Sequence, residues 1–236
     1  AHDFIDELYK RGFRSFLVQE AIEADQFPEA SFIRVKDSLK AFQSLAENHR
    51  KSFEDPIIAI TGSYGKTIVK EWIFQLLQDD LKIARSPKSY NSQIGVPLSL
   101  FQLKSYHQMG VFEAGISQSN EMEALEKMIA PSIGILTNIG NAHLENFNSH
   151  QDILTEKSKL FKHCDKIYFS NDKEWINDFM SDHFEQNRLV TWGRNDKANL
   201  QIVSIDKKAH KSLIRIRYQK LAFEYSVPFI DDFSIE

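Results

Sequence analysis

A glycine-containing loop that ends in Gly65-Lys66-Thr67 gives the clearest indication of chemical function in this chain. An apolar run, residues 56–60, leads into the loop, and a helix-like run, residues 68–78, follows it. A strand, a tight loop and a helix in this order can bind phosphate, because loop N–H groups and the helix N-terminus point at the anion. Lys66 would add positive charge, and the Thr67 hydroxyl could bind Mg²⁺. The sequence therefore predicts a nucleoside triphosphate ligand, held by Thr61, Gly62, Ser63, Tyr64, Gly65, Lys66 and Thr67.

The loop departs from the general phosphate-loop pattern at Ile60, which stands where the first glycine is expected. The alternative is a plain strand-to-helix turn, shaped by Gly62 and Gly65, that binds nothing. Such a turn would not need Lys66 and Thr67. A cation at a helix N-terminus also opposes the helix dipole unless an anion is bound there. These features favour the phosphate site.

Other residues with usable chemistry follow further predicted strands. Glu113 ends an apolar run, where its carboxylate could bind Mg²⁺ or could simply be exposed at a strand end. His143 lies in a later loop and is a metal ligand, a phosphate contact or an ordinary loop histidine. Asn91 and Ser92 precede a helix and could hold an anionic or amide group of a substrate. Lys157 lies among charged neighbours, and on the residues alone this pattern indicates a solvated helix face.

Composition places limits on the class of protein. The chain has 236 residues, of which 42% are hydrophobic and 26% charged, as in ordinary globular proteins with one large domain or a medium and a small one. A formal net charge of −4 gives no reason to expect nucleic acid as a partner. The single cysteine, Cys164, excludes an internal disulfide and fits a reducing compartment. Neither a membrane-length apolar run nor a secretory signal is present, so we expect a cytoplasmic protein.

Alternating strand and helix patterns from residue 56 onward predict an α/β fold with a mostly parallel sheet flanked by helices. Strands are predicted over residues 57–60, 82–84, 110–113, 132–137, 166–169 and 188–191, and helices over residues 66–78, 93–103, 120–129, 151–163 and 173–185. Ligands bind at the carboxyl ends of parallel strands, so the candidate residues should gather at one edge of the sheet.

The two ends of the chain have different patterns. Residues 200–205, 212–218 and 221–227 alternate apolar and polar side chains and predict an antiparallel ribbon. Before residue 55, a helix over 4–11, strands over 15–18 and 31–35, and a helix over 38–51 with Asp37 as its N-cap predict a small α/β unit.

Five of these segments, in this order, resemble the Mur ligase family, and within it the MurF type. These ligases use ATP to form amide bonds in peptidoglycan precursor synthesis. The five segments are the loop 61–67, Asn-Ser-Gln-Ile-Gly-Val-Pro-Leu at 91–98, Phe-Glu-Ala-Gly at 112–115 followed by Glu121, Thr-Asn-Ile-Gly-Asn-Ala-His-Leu-Glu at 137–145, and Lys157. The family's loop typically lacks the first glycine, which accounts for Ile60.

The resemblance implies a reaction and its substrates. ATP would phosphorylate the terminal carboxylate of a UDP-N-acetylmuramoyl-tripeptide, and the amine of D-alanyl-D-alanine would attack the acyl phosphate. It also implies two Mg²⁺ sites, and the residues of the first would be Thr67 and Glu113. His143 would help to hold the second, together with Lys157 after carbamylation by CO₂. Lys66 would hold the β- and γ-phosphates.

By the same resemblance, Lys66, His143 and Lys157 are the implied catalytic residues, Asn138 joins the nucleotide-binding residues, and Asn91 and Ser92 contact substrate. The sequence departs from the family pattern at Tyr64, which replaces a small or amide residue. Further departures lie at Ser92, Gln93 and Lys159.

The resemblance also implies a domain organisation. Residues 1–54 would be part of an N-terminal UDP-substrate-binding domain, and residues 55–236 an ATP-binding central domain that is incomplete at its C-terminal end. The C-terminal ligase domain would be absent, so we expect this chain alone to bind nucleotide weakly, to form no amide bond and to be monomeric.

Three alternatives remain open. A folylpolyglutamate-synthetase-like ligase would share the loop and the carbamylated lysine. A non-catalytic nucleotide-binding module would keep Lys66 and Thr67 but would need neither His143 nor Lys157. Fusion to an alanine racemase, as in some bacterial MurF-type ligases, is also open.

Overall fold

The structure is a computed structural model that describes residues 2–141 and 146–231. Its helices are α1 (Ile5–Lys10), α2 (Ser38–Lys51), α3 (Lys66–Leu77), α4 (Gly95–Leu100), α5 (Met122–Ile129), α6 (His150–Ser158) and α7 (Glu174–His183). Its strands are β1 (Ser15–Val18), β2 (Ser31–Arg34), β3 (Ile57–Thr61), β4 (Ile83–Arg85), β5 (Met109–Glu113), β6 (Ile133–Leu136), β7 (Lys166–Ser170), β8 (Leu189–Gly193), β9 (Leu200–Lys208), β10 (Lys211–Tyr218) and β11 (Leu221–Val227). Short 3-10 helices cover His2–Phe4, Ala24–Gln26, Lys159–Phe161 and Gln186–Arg188.

One large sheet organises the part of the chain that the structure describes. Its strand order is β11-β10-β9-β8-β7-β6-β3-β5-β4. Neighbouring strands from β4 to β9 pair in parallel, whereas β9, β10 and β11 pair antiparallel. The predicted α/β fold with a mostly parallel sheet and a terminal antiparallel ribbon is therefore confirmed. Only two residue pairs join β8 to β9, namely Trp192 with Leu200 and Gly193 with Gln201.

The central strand β3 is buried along its whole length because helices cover both faces of the sheet there. On one face, Val69 and Ile73 of α3 pack against Ile58 and Ile60 of β3. On the other face, α4, α5 and α6 contribute to the larger core, which also contains Ala59. The carboxyl end of β3, where the glycine-containing loop begins, is consequently held from both sides.

The N-terminal region forms a smaller unit. Strands β1 and β2 pair in parallel over a separate core that includes Phe16 and Phe27. Asp37 caps α2 as predicted, because its carboxylate accepts a hydrogen bond from the Lys40 N–H at 3.0 Å. Helix α2 packs against α4 and α5 of the large unit, and Ala46 joins the main core. The domain boundary near residue 54 stays a prediction.

The helices predicted over 93–103 and 151–163 differ most in length from those in the structure. The helix predicted over 93–103 spans only Gly95–Leu100, and the turn before it is held by the Ser92 hydroxyl, which accepts from the Ile94 N–H at 3.4 Å and from the Gly95 N–H at 3.2 Å. The helix predicted over 151–163 ends at Ser158 and continues as a 3-10 turn. There the Ser158 hydroxyl donates to the Thr155 carbonyl at 2.8 Å, which competes with the helical backbone pattern. Among the described residues, no helix has the length and apolar character needed to cross a membrane.

Candidate active site

The loop between β3 and α3 depends on two glycines with positive φ. Gly62 has φ 147° and Gly65 has φ 81°, both in the region that favours glycine. A Cβ on Gly62 would lie 1.9 Å from Thr137 Oγ1, so a side chain there would collide with the loop that follows β6. Gly62 is therefore required for close approach of two loops, and Gly65 for the turn into α3.

The loop after β6 holds this glycine-containing loop through its backbone. Asn138 accepts hydrogen bonds from the Ser63 N–H with its main-chain oxygen, at 2.9 Å, and from the Tyr64 N–H with Oδ1, at 3.0 Å. The Gly140 N–H donates to Ser63 Oγ at 3.0 Å. Asn138, predicted to contact the nucleotide, thus lies against the loop backbone. The first N–H groups of α3, which have no carbonyl one turn earlier in the helix, are the ones placed to receive an anion.

Tyr64 lies beside this contact. Its side chain is partly exposed, and its ring lies against Gly140, where a Cβ would come 2.9 Å from Tyr64 Cε2. The phenol therefore packs on the second loop, so the departure from a small residue at this position is accommodated by a glycine.

Lys66 folds back over its own loop. Its Nζ donates to the Gly62 carbonyl at 2.8 Å. Burial lowers the pKa of Lys66, and the nearby Glu113 carboxylate opposes this effect. A partly desolvated ammonium beside a helix N-terminus creates a strongly positive position, which an anion would stabilise.

The predicted partners Thr67 and Glu113 are brought together. Thr67 Oγ1 donates to Glu113 Oε2 at 3.1 Å, and Asn91 Nδ2 lies 3.4 Å from the same oxygen. Strand register explains this, because β5 is the direct neighbour of β3 and pairs Glu113 with Ile60. Glu113 is fully buried, which excludes the alternative of an exposed strand-end carboxylate.

Lys70 is a member of this cluster that the sequence interpretation missed. Its Nζ lies 2.9 Å from Glu113 Oε1, and both side chains are completely buried. The ammonium also donates to the carbonyls of Ser86, at 2.8 Å, and of Lys88. One signal was available: Lys70 follows Lys66 by one helical turn, on a helix that is otherwise largely apolar.

The cluster offers a hard cation such as Mg²⁺ only a few protein ligands. Within residues 2–141 and 146–231, no three His, Cys, Asp or Glu side chains lie close enough together to hold a metal ion. Mg²⁺ is commonly held by one or two carboxylates together with phosphate oxygens and water. Glu113 and the Thr67 hydroxyl, beside a phosphate-binding loop, therefore fit Mg²⁺ that arrives with a nucleotide.

Lys157 lies on α6 and is only 2% exposed, so the solvated helix face indicated by the residues alone is wrong. Burial, reinforced by the positive charge of Lys66 and opposed by Glu156, lowers the pKa of Lys157 to about 7. Its neighbour Glu156 is already engaged by the Met122 N–H and by Lys159. Among the described residues Lys157 has neither a hydrogen bond nor an ion pair. A substantial fraction of this amine is consequently neutral near pH 7.

The remaining predicted site residues are His143 and Ser92. His143 falls in residues 142–145 and lies outside the described residues. The Ser92 hydroxyl accepts from the Ile94 and Gly95 N–H groups just before α4, and its own O–H keeps a donor for a substrate.

A cavity of about 470 Å³ runs from Gly65 along the carboxyl ends of β6, β7 and β8. Apolar and aromatic side chains dominate its lining, among them Trp72, Tyr168 and Trp192. Lys173 and Arg194 add positive charge to the lining, and Asp172 adds one negative charge. A flat apolar ring linked to an anionic group would match this arrangement, because the cavity adjoins the phosphate-binding loop.

Comparison with known proteins gives consistent results. The Mur ligase middle domain family matches residues 60–236. The UDP-N-acetylmuramoyl-tripeptide–D-alanyl-D-alanine ligase of Buchnera aphidicola is 32% identical over 233 residues, which cover 97% of this chain and 48% of that protein. The chain thus spans about half the length of this curated relative.

Solved structures share the fold. MurF from Acinetobacter baumannii superposes with a TM-score of 0.90 at 21% identity, over 99% of this chain and 51% of that one. MurF from Thermotoga maritima in complex with ADP superposes with a TM-score of 0.86 at 21% identity, over 99% of this chain and 54% of that one.

Proposed function

This chain belongs to the Mur ligase family, and we propose that it is the ATP-binding part of a MurF-type ligase. The reaction would join D-alanyl-D-alanine to a UDP-N-acetylmuramoyl-tripeptide in peptidoglycan precursor synthesis. Within this proposal, residues 1–54 belong to the UDP-substrate-binding unit and residues 55–236 bind ATP. The observation that carries it is the 3.1 Å contact between Thr67 Oγ1 and Glu113 Oε2 beside the Gly-Lys-Thr loop.

Nucleotide binding follows from the charges at this loop. Lys66 Nζ donates to the Gly62 carbonyl and would exchange this partner for a phosphate oxygen. The N–H groups at the start of α3 would contact the same phosphates, and the cavity along β6, β7 and β8 would take the base. Asn138 contributes indirectly because it holds the loop in shape.

Two metal positions are part of the proposal. Thr67 and Glu113 would hold the first Mg²⁺, and His143 together with Lys157 as its carbamate would hold the second. Bound there, Mg²⁺ would neutralise charge on the phosphates and on the substrate carboxylate. Asn91, which contacts Glu113, stays assigned to substrate with Ser92.

The burial of Lys157 supports the proposal that this lysine is carbamylated. Reaction with CO₂ requires a neutral amine, because the nitrogen lone pair forms the new N–C bond and the amine then loses a proton. Burial supplies that neutral form near pH 7. A non-catalytic nucleotide-binding module would have no need for a buried amine close to Lys66.

Binding measurements on the chain test the proposal. We expect a fluorescent ADP analogue to bind more tightly with Mg²⁺ than with EDTA, and we expect Thr67→Val to remove most of that difference while the protein stays folded. Thr155→Val, the same change at an exposed position of α6 where the hydroxyl donates to the Gln151 carbonyl, is the matched control. Equal affinity with and without Mg²⁺ in the unaltered chain would contradict the metal assignment.

Substrate class is tested separately by thermal shift. We expect UDP-N-acetylmuramoyl-tripeptide to raise the melting temperature and a folate polyglutamate to leave it unchanged. The reverse outcome would favour the folylpolyglutamate-synthetase-like alternative while leaving the nucleotide site intact.

A further inference from the structure

Phosphate binding by Lys66 and the start of α3 does not explain why Lys70 of α3 is buried. Lys70 is completely buried, although lysine is almost never fully buried without a partner. Its ammonium contacts two carboxylates, Glu113 at 2.9 Å and Glu71 at 3.2 Å. It also donates to the carbonyls of Ser86 and Lys88. Apart from the adjacent Glu71, its contacts among the described residues are with Glu113 and with the segment that follows β4.

The two oxygens of Glu113 face different partners. Oε1 faces Lys70, although it receives no well-aligned hydrogen bond, whereas Oε2 faces the Thr67 hydroxyl. The ion pair therefore restricts the rotation of the carboxylate and leaves one oxygen directed at Thr67. A ligating carboxylate that is held in this way by a second group binds a metal ion better than a free one, because its orientation is already fixed.

The segment after β4 is fixed by the same ammonium. Lys88 adopts a positive φ of 49°, which is uncommon for a residue with a side chain, and its carbonyl accepts from Lys70. The next residue, Ser89, has its hydroxyl 3.1 Å from Thr67 Oγ1. Asn91, slightly further along, contacts Glu113. The Lys70 ammonium thus connects α3 to β5 and to residues 86–91.

We propose that Lys70 is the positioning residue of the first metal site: through its contacts with Glu113 and the carbonyls of Ser86 and Lys88, it presents Glu113 Oε2 beside the Thr67 hydroxyl. This inference rests on the proposed function, because it assumes that Thr67 and Glu113 bind Mg²⁺. Lys70 itself touches neither metal nor nucleotide.

Lys70→Met tests this role by removing the charge while keeping most of the volume. The readout is Mn²⁺ binding in the presence of saturating ADP, followed by electron paramagnetic resonance, with ADP affinity in EDTA measured in parallel. We expect the Mn²⁺ dissociation constant to rise about 10- to 100-fold, as when an outer partner of a metal ligand is lost. ADP affinity in EDTA should stay within about threefold, because Lys66 and the start of α3 are unchanged.

Further variants separate positioning from general stability. Arg50→Met is the matched control, because Arg50 is a half-buried cation that, like Lys70, donates to main-chain carbonyls, here those of Ile129 and Ala130, away from the site. It should lower stability and leave Mn²⁺ affinity unchanged. Lys70→Gln keeps a donor toward the carbonyls without the charge, so the metal titration can be made even where Lys70→Met is too unstable. Lys70→Arg, which keeps the charge, should recover part of the Mn²⁺ affinity.

The outcomes are distinct. Unchanged Mn²⁺ affinity in folded Lys70→Met or Lys70→Gln would overturn the positioning role, and so would an equal loss in Arg50→Met. If the unaltered chain binds ADP but no Mn²⁺, the metal assignment of the proposed function fails instead. Weaker Mn²⁺ binding only in the Lys70 variants supports the inference.

Discussion

Two buried lysines on opposite faces of the sheet differ in the partners that surround the amine. Lys70 on α3 lies 2.9 Å from the Glu113 carboxylate and contacts two carbonyls. Lys157 on α6 is almost equally buried but has no such partner among the described residues, and its pKa falls to about 7. The first is suited to holding structure as a cation, and the second to reacting as a neutral amine. Residue type and burial are the same, so the difference comes from the neighbouring charges.

The largest effect should come from breaking the pair at Lys70. Glu113→Gln leaves the ammonium facing a neutral amide, with the partly exposed Glu71 as its remaining carboxylate, and loss of one partner of a buried ion pair costs about 3–5 kcal/mol. We expect that loss in the free energy of unfolding, measured in urea. The double variant Lys70→Met with Glu113→Gln should be more stable than Glu113→Gln alone, since no buried charge is left unpaired. A cost below about 1 kcal/mol for the single variant would contradict the pair.

Lys157→Met tests the other lysine through pH. The pKa of lysine is about 10.4 in an unfolded chain, and it is about 7 here. Between these values the unfolded state binds one more proton, so this group makes stability rise with pH through that window. Below pH 7 both states are protonated and the full penalty of the buried charge is present.

We therefore expect Lys157→Met to be more stable than the unaltered chain by roughly 3 kcal/mol at pH 8, with the difference shrinking toward pH 10.5. Urea unfolding in CO₂-free buffer between pH 6.5 and 10.5 measures it. Lys162→Met, which changes an exposed lysine just after α6, should show no such trend. A pH-independent difference for Lys157→Met would mean that its amine is charged in the fold.

A smaller effect is expected at Lys66, which interacts with both regions. Burial lowers the pKa of Lys66 and the Glu113 carboxylate opposes this shift, whereas the pKa of Lys157 is lowered by burial and by the charge of Lys66. Lys66→Met should weaken ADP binding about 10- to 100-fold, because a hydrogen bond to a charged group contributes about 1.5–3 kcal/mol. Isothermal titration calorimetry measures this change, and Lys82→Met, at an exposed position before β4, is the control. The same variant should raise the pKa of Lys157, since the Lys66 charge lowers it. An unchanged ADP affinity would exclude Lys66 from the phosphate site.

The smallest effect is expected at Asn138. Asn138→Ala removes the acceptor of the Tyr64 N–H and should cost about 1 kcal/mol in stability. Asn138→Asp keeps an acceptor oxygen and should cost less, as thermal unfolding can show. If ADP affinity falls much more than stability in Asn138→Ala, the residue contacts the nucleotide directly.

The sheet could be predicted because its signals are local. Continuous apolar runs such as β3 mark buried parallel strands, and polar residues at their carboxyl ends mark the site edge. The meeting of Thr67 and Glu113 follows from those two rules once β5 lies beside β3. Likewise, Asp37 as a cap needs only its neighbours in sequence.

What could not be predicted depends on contacts between distant segments. A lysine in a helix is usually solvated, so the burial of Lys70 and Lys157 becomes visible only when the sheet and its crossovers are assembled. Asn138 was predicted to contact a nucleotide from the resemblance to the Mur ligase family. Its engagement with Ser63 and Tyr64 depends on how closely two loops approach, which Gly62 permits.

The short junction between β8 and β9 has a mechanical consequence. The ribbon β9–β11 is well paired internally, with seven residue pairs between β10 and β11, yet only two pairs attach it to β8. Nearly every residue of β11 is exposed, and beyond it Phe229 stacks on Trp72 of α3 with ring centroids 5.2 Å apart. Force applied to the C-terminal end would therefore load this stack and the two β8–β9 pairs before the parallel strands, and loss of the ribbon would open the cavity on the side of Ile202 and Ile205 while the Gly-Lys-Thr loop stays held by β3 and α3.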